Sequence, residues 1–323
     1  MNTESVKRPA ASIEELLPRQ RGAVRPVAVS TGFRRLTVIT AIAIYLLMVM
    51  GGVVRVTGSG LGCPDWPTCY GRLIPPPELT AIVEYSHRSI ATIAGVLIFI
   101  TVGIAWLRYR HLPWVVGPAA GMIGLLAVQV PLGALVVDTE LEAALVAFHL
   151  GMALLILAYA LTLAVSAHKG GRVAVERRRR WLWITIGLLF VVLLSGAVVV
   201  GTRASLACPD WPLCHGGIVP PPNASPLIAI HLLHRYGVAV VSLLIGVTVW
   251  RALKSDDRGS RHWGVALGGI LVAQIVIGAL QVVLQIPPLW RALHLSMGSA
   301  AWAALIVLVT RESLSGRRLD LPV

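Results

Sequence analysis

The sequence predicts an all-α integral membrane protein: eight transmembrane helices in two tandem four-helix-bundle repeats, with both termini cytoplasmic. Three observations predict it. Mean hydropathy is +0.77 with 13% charged residues. Apolar runs near the bilayer length of about 20 residues fall at 36–54, 84–107, 114–137, 141–166, 181–201, 227–251, 263–285 and 289–310. The chain also repeats itself. Cys63-Pro64-Asp65-Trp66-Pro67-Thr68-Cys69-Tyr70-Gly71 returns as Cys208-Pro209-Asp210-Trp211-Pro212-Leu213-Cys214-His215-Gly216, seven of nine positions identical at an offset of 145. Gln129 and Gln274, Gly133 and Gly278, and His149 and His294 keep that offset; His87-Arg88 meets His234-Arg235 at 147. Self-similarity at a fixed period governs the fold.

The net charge of +13 raises a nucleic-acid reading. Its distribution excludes one. Of 28 Lys and Arg, 22 fall in the N-terminal tail, the even-numbered loops and the C-terminal tail. That is the positive-inside pattern for eight spans, and basic loops beside an anionic leaflet account for the pI.

In chain order, residues 1–35 form a polar cytoplasmic tail expected to be disordered. No small-residue cleavage site follows the first apolar run, so that run is retained as a span. Residues 36–166 make the N-terminal four-helix half, 167–180 a basic cytoplasmic linker, 181–310 the C-terminal half and 311–323 a cytoplasmic tail. Four spans per half leave the repeats in one orientation, related by an axis along the membrane normal.

This topology puts both cysteine motifs outside, where disulfides persist. Cys63/Cys69 and Cys208/Cys214 each enclose five residues, two of them prolines, a loop short enough to bond. They read as staples closing two outer lids, with a redox-active or substrate-linked role left open for the first pair. Trp66 and Trp211 suit a stiff cover at the interface.

Of nine histidines, His111, His168 and His262 lie in basic loops and His215 in the second lid. His87, His149, His231, His234 and His294 lie in or at the outer ends of spans, where ionisable groups are expensive and mark function. His87 falls near the outer end of span two, His149 eight residues into span four, roughly 12 Å deep by helical rise. One histidine from the second helix and one from the fourth, in each half, suit an axial pair for heme iron. Hydrogen bonding between helices is the plainer alternative. Arg88 and Arg235 are candidates for heme propionates or for snorkelling to headgroups, with Arg55 and Arg291 as further candidates. Gln129 and Gln274 either pack helices or line a heme pocket.

The halves differ at one informative place. Glu84 precedes His87 by three residues, where His231 precedes His234. Residues at i, i+3 share a helix face, so one pocket carries a carboxylate and the other an imidazole. A carboxylate there can hold a proton or stabilise developing positive charge. Two sites for electron transfer alone do not need this difference.

The twin CPDWPxC lids, Glu84-Tyr85-Ser86-His87-Arg88, the paired histidines and Ala292-Leu293-His294-Leu295-Ser296-Met297-Gly298 resemble bacterial heme A synthase over nearly all of the chain after residue 35. The resemblance implies oxidation of a heme O methyl group to a formyl group, giving heme A for terminal oxidases. It implies His87 and His149 flanking the substrate heme, and Glu84 as the catalytic carboxylate. It implies His234 and His294 ligating heme b, and disulfides Cys63–Cys69 and Cys208–Cys214. Oxidation would proceed stepwise through a geminal diol, with water or dioxygen as oxygen source. A heme O synthase is the implied donor of substrate, membrane lipid the setting, and the electron acceptor is unnamed. A diheme b-type protein passing electrons to quinone shares the histidine pairs but does not need the Glu84/His231 asymmetry or the lids. A transporter predicts broken helices in both halves, and Pro131 has Val276 as its counterpart.

Overall fold

The computed structural model describes residues 29–171 and 180–315. The N-terminal tail through residue 28, most of the linker and residues 316–323 lie outside the described residues. Eight α-helices follow one another: α1 Thr31–Val56, α2 Leu79–Tyr109, α3 Pro113–Asp138, α4 Ala143–Lys169, α5 Arg180–Gly201, α6 Pro226–Leu253, α7 Arg258–Val283 and α8 Pro288–Ser315. No β-strand occurs among the described residues. All eight helices are long and apolar enough to cross a bilayer. A helix satisfies its own backbone polar groups, which lipid cannot do. The chain is a multi-pass membrane protein.

Helix ends depart from the apolar runs where polar residues open a helix. α1 begins at Thr31 rather than residue 36, because the Ser30 hydroxyl accepts from the Phe33 amide at 3.3 Å and Phe33 is buried. Residues 31–35, expected in the tail, are therefore its first turn. α2 begins at Leu79, five residues before the predicted span, since Glu78, Thr80 and Glu84 lower the hydropathy of a helical stretch. α8 likewise runs past residue 310 to Ser315. α3 continues unbroken through Pro118 and Pro131.

Consecutive helices pack side by side in each half, with α1 closing on α4 and α5 on α8. That ring sets α2 diagonally across from α4, and α6 across from α8. The halves meet along α1, α4, α5 and α8. α8 is the most buried helix, and α3 and α7 bury least. At the seam the Tyr45 hydroxyl donates to the Ser296 carbonyl at 3.2 Å. The buried Trp302 donates Nε1–H to the Leu154 carbonyl at 2.9 Å and packs its ring 5.7 Å from Phe190. An indole buried in an apolar seam needs such a partner.

The connections after α1, α3, α5 and α7 share one end of the bundle. Left-handed residues recur there in pairs 145 residues apart: Gly58 and Arg203, Tyr70 and His215, Gly71 and Gly216, Glu140 and Gln285, Leu141 and Ile286. At the opposite end, Asp257 caps α7, its Oδ2 accepting from the Ser260 amide and hydroxyl at 2.9 Å each. The same oxygen meets Lys169 at 3.1 Å and Arg311 at 3.0 Å, tying α4, α7 and α8 together. Burial pushes this carboxyl up, but Ser260, Arg311 and Lys169 outweigh it and hold it well below the usual carboxylate range.

Candidate functional site

His87 and His234 lie eight residues past the first residue of α2 and α6, and His149 and His294 six past that of α4 and α8. By helical rise the two depths differ by about 3 Å. The deeper placement expected for His149 relative to His87 disappears because α2 starts earlier than its apolar run. His87 lies within electrostatic reach of His149, and His294 within reach of His234. The pairs expected from the sequence are the pairs the fold brings together.

Each imidazole rests against a glycine of the helix before its own. A Cβ at Gly51 on α1 would stand 3.3 Å from His87 Cε1; at Gly133 on α3, 3.2 Å from His149 Cε1. At Gly196 on α5 it would stand 3.3 Å from His234 Cε1, and at Gly278 on α7, 3.0 Å from His294 Cε1. Such distances are tighter than ordinary van der Waals contact, so each ring edge occupies room that only glycine leaves. Nδ1 of His87, His149 and His294 is buried with no hydrogen-bond partner among the described residues. His234 differs: its Nδ1 lies 2.8 Å from the Ser195 hydroxyl. Sequence reading found Gly133 and Gly278 only as markers of the repeat, and missed Gly51, Gly196 and Ser195. Gly51 and Gly196 share the offset of 145 and were findable by it.

Gln129 and Gln274 bridge helices. Gln129 Nε2 lies 3.1 Å from His149 Nε2 and donates to the His149 carbonyl at 3.2 Å. Gln274 Nε2 lies 3.4 Å from His294 Nε2. Their Oε1 atoms are buried and unpartnered among the described residues. Four imidazoles in glycine seats, two in each half, with buried polar atoms around them, are a donor set that fits heme iron. No three His, Cys, Asp or Glu side chains gather into a bare metal site among the described residues.

Arg88 and Arg235 each reach into the lid of their own half. Arg88 donates from Nη1 to the carbonyls of Asp65 at 2.5 Å and Thr68 at 2.8 Å, and from Nη2 to that of Cys63 at 3.0 Å. Its Nε–H donates to Glu84 Oε1 at 3.0 Å. Arg235 makes the same clasp, to Asp210 at 2.9 Å, Leu213 at 2.5 Å and Cys208 at 3.1 Å. Turns that close a loop present carbonyls to one side, and a planar guanidinium satisfies several at once. In the structure both guanidiniums clamp the lids. His231 takes the Glu84 slot without bonding Arg235, and both Glu84 and His231 are buried.

The lids themselves are closed by disulfides Cys63–Cys69 and Cys208–Cys214. Asp65 gathers the Thr68 hydroxyl, the Tyr70 amide at 2.5 Å and the Gly71 amide at 2.9 Å. Asp210 gathers the His215 amide at 3.1 Å and the Gly216 amide at 2.8 Å. The Thr68 hydroxyl first, then the Gly71 amide, lowers the Asp65 carboxyl; the Gly216 amide does the most to lower that of Asp210. Beside the second lid, Val200, Arg203, Ser205, Ile286 and Arg291 line a shallow cavity at the lid end of the bundle. Arg55 lies within electrostatic reach of Arg291. None of Arg55, Arg203 and Arg291 has an acidic partner among the described residues.

Eight membrane helices carrying two pairs of histidines beneath two disulfide-closed lids define the class: a multi-pass helical membrane protein with a matched histidine site in each half. The chain belongs to the COX15-CtaA family of cytochrome oxidase assembly proteins, whose profile matches residues 34–82 and 78–306. It is similar to the heme A synthase of Shouchella clausii, 31% identical over 299 residues, covering 87% of this chain and 98% of that one. The heme A synthase of Symbiobacterium thermophilum is 30% identical over 278 residues, covering 81% and 90%. That of Alkalihalophilus pseudofirmus is 29% identical over 290 residues, covering 86% and 97%.

Proposed function

We propose that this protein is a heme A synthase, an oxidoreductase that converts a methyl group of heme O to a formyl group. The observation that carries the reading is the asymmetry beneath matching lids: a buried Glu84 beside His87 in one half, a buried His231 beside His234 in the other. In this reading residues 36–166 bind heme O as substrate between His87 and His149. Residues 181–310 retain heme b between His234 and His294. The lids face outward across the cell membrane, and both termini and the linker lie in the cytoplasm.

Bound heme b would supply one-electron redox chemistry. The chain's own residues supply the rest. The glycine seats orient the imidazoles. Glu84, held by Arg88, stabilises positive charge developing near the substrate methyl carbon or takes its proton. The lids and apolar helices exclude bulk water. With Arg88 and Arg235 committed to the lids, Arg55, Arg203 and Arg291 are the outer cations open to propionates. A heme O synthase is the natural donor of so apolar a substrate.

The test is pigment analysis after co-expression with a heme O synthase. Extracted hemes are separated and identified by mass for the wild type and Glu84→Ala. Heme A from the wild type, with heme O or a hydroxylated intermediate accumulating in Glu84→Ala, is the expected result. Two heme b per chain, unchanged by the substitution, would return the protein to the diheme electron carriers.

A further inference from the structure

The α2 and α6 ligands sit in matching glycine seats, yet their Nδ1 atoms meet different neighbours. On α5 the Ser195 hydroxyl donates its single hydrogen to the Val192 carbonyl at 2.7 Å. Its oxygen can then only accept from His234 Nδ1, 2.8 Å away. In that arrangement His234 donates from Nδ1 and Nε2 carries the lone pair. On α1 the corresponding residue, next to Gly51 as Ser195 is next to Gly196, is Met50. A thioether accepts weakly, and His87 Nδ1 has no partner among the described residues.

We propose that Ser195 is a positioning residue that fixes His234 with Nε2 ready for iron, and that Met50 in its place makes the first half the exchangeable heme site. The proposal rests on the heme-ligand reading above and adds to it the reason one half keeps its heme while the other turns over. A hydrogen bond from Nδ1–H pins the ring's rotation and tautomer and raises the basicity of the opposite nitrogen. A more basic ligand holds ferric iron more tightly and lowers the heme's potential. Without that bond, His87 is free in tautomer and binds iron more weakly. Weak ligation suits a heme that arrives as substrate and leaves as product. The α4 and α8 ligands do not divide the halves this way, since each shares its Nε2 with a glutamine.

The experiment uses the full-length, detergent-solubilised protein and measures two things: the rate of heme loss to excess apomyoglobin, and the midpoint potential of the heme. Ser195→Ala is expected to lose heme b about 10–100-fold faster, the usual cost of removing a ligand's outer hydrogen bond, and to shift the potential upward. Ser195→Thr keeps the hydroxyl and should stay near wild type. Met50→Ser should slow heme loss from the first half. A Ser195→Ala protein that elutes as wild type on size exclusion and matches it in both readouts overturns the proposal. So does Ser195→Thr behaving as Ser195→Ala. If Ser195→Ala does not purify, Met50→Ser decides: unchanged heme retention in the first half overturns the proposal. His234→Ala and His294→Ala separate the two layers. Full heme b in both variants defeats the ligand reading itself; loss of heme in both with a silent Ser195→Ala defeats only the role of Ser195.

Discussion

Arg88 and Arg235 reach from the second helix of their halves to the carbonyls of a disulfide-closed loop. Only Arg88 also meets a carboxylate, the buried Glu84, while Arg88 itself is part-buried. The second half keeps the clasp and drops the acid. The part that holds the lid is common to both halves, while the part beside the ring is specific to each. Glu84 opposes His231, and Met50 opposes Ser195. A scaffold repeated twice thus carries two different environments around the same kind of histidine pair.

The largest effects should come from the ligands. His234→Ala and His294→Ala are expected to abolish heme b in the purified protein. His87→Ala and His149→Ala should keep heme b and lose conversion of heme O. Heme content by pyridine hemochromogen, with product analysis, checks this; equal loss of heme b from all four would erase the division of labour between the halves.

Next in size is the clasp. Arg88→Ala leaves Glu84 buried without its cation and should cost about 3 kcal/mol. Arg235→Ala loses lid bonds alone and should cost about 1 kcal/mol. Thermal unfolding in detergent reads the difference, and Glu84→Gln should shrink the Arg88→Ala penalty toward that of Arg235→Ala.

A smaller effect distinguishes the seats. Gly278→Ala places Cβ 3.0 Å from His294, whereas Gly51→Ala leaves 3.3 Å to His87. The former should cost about 1–3 kcal/mol and lower heme b content; the latter should cost less. Gly246→Ala, which meets nothing within 4 Å, should be neutral or stabilise by up to about 1 kcal/mol.

The smallest concerns the lids and pH. Asp65 and Asp210 are both held below the usual carboxylate range. A lowered folded-state pKa gives stability that is complete above the unfolded pKa of about 3.9 and is lost as pH falls through the folded value. Both lids should therefore loosen only in acid. Asp65 has the Thr68 hydroxyl where Asp210 faces Leu213, so the first lid should hold to lower pH. Hydrogen-exchange protection of the Tyr70 and Gly71 amides against those of His215 and Gly216 measures this. Thr68→Leu should bring the first pair's acid midpoint up to that of the second.

The eight helices, the lids and the paired histidines were legible because hydropathy, cysteine spacing and the repeat are properties of the chain read alone. The start of α2 was not, since Glu78, Thr80 and Glu84 lower the hydropathy of a stretch whose backbone is nonetheless helical. Nor was the use of Arg88 and Arg235: sequence places them next to a ligand histidine, but a helical side chain's reach is settled by the loop above it. Ser195 was invisible for another reason. A single serine in an apolar run usually bonds its own helix, as Ser195 does through Val192, and only the packed neighbour shows what its oxygen accepts. Glycines are common in membrane helices, so their recurrence alone does not announce a seat.

The bond from Arg88 to Glu84 makes the first lid more than a cover. One guanidinium spans the outer loop and the acid beneath it, so the loop cannot lift while Arg88 follows it without stripping the carboxylate of its counter-charge. If Arg88 instead stays with Glu84, the loop leaves behind three of its carbonyl bonds. The position of the first lid and the charge balance at Glu84 are therefore tied together at one residue. The second half has His231 in that place, so its clasp, Arg235, holds the lid without holding an acid.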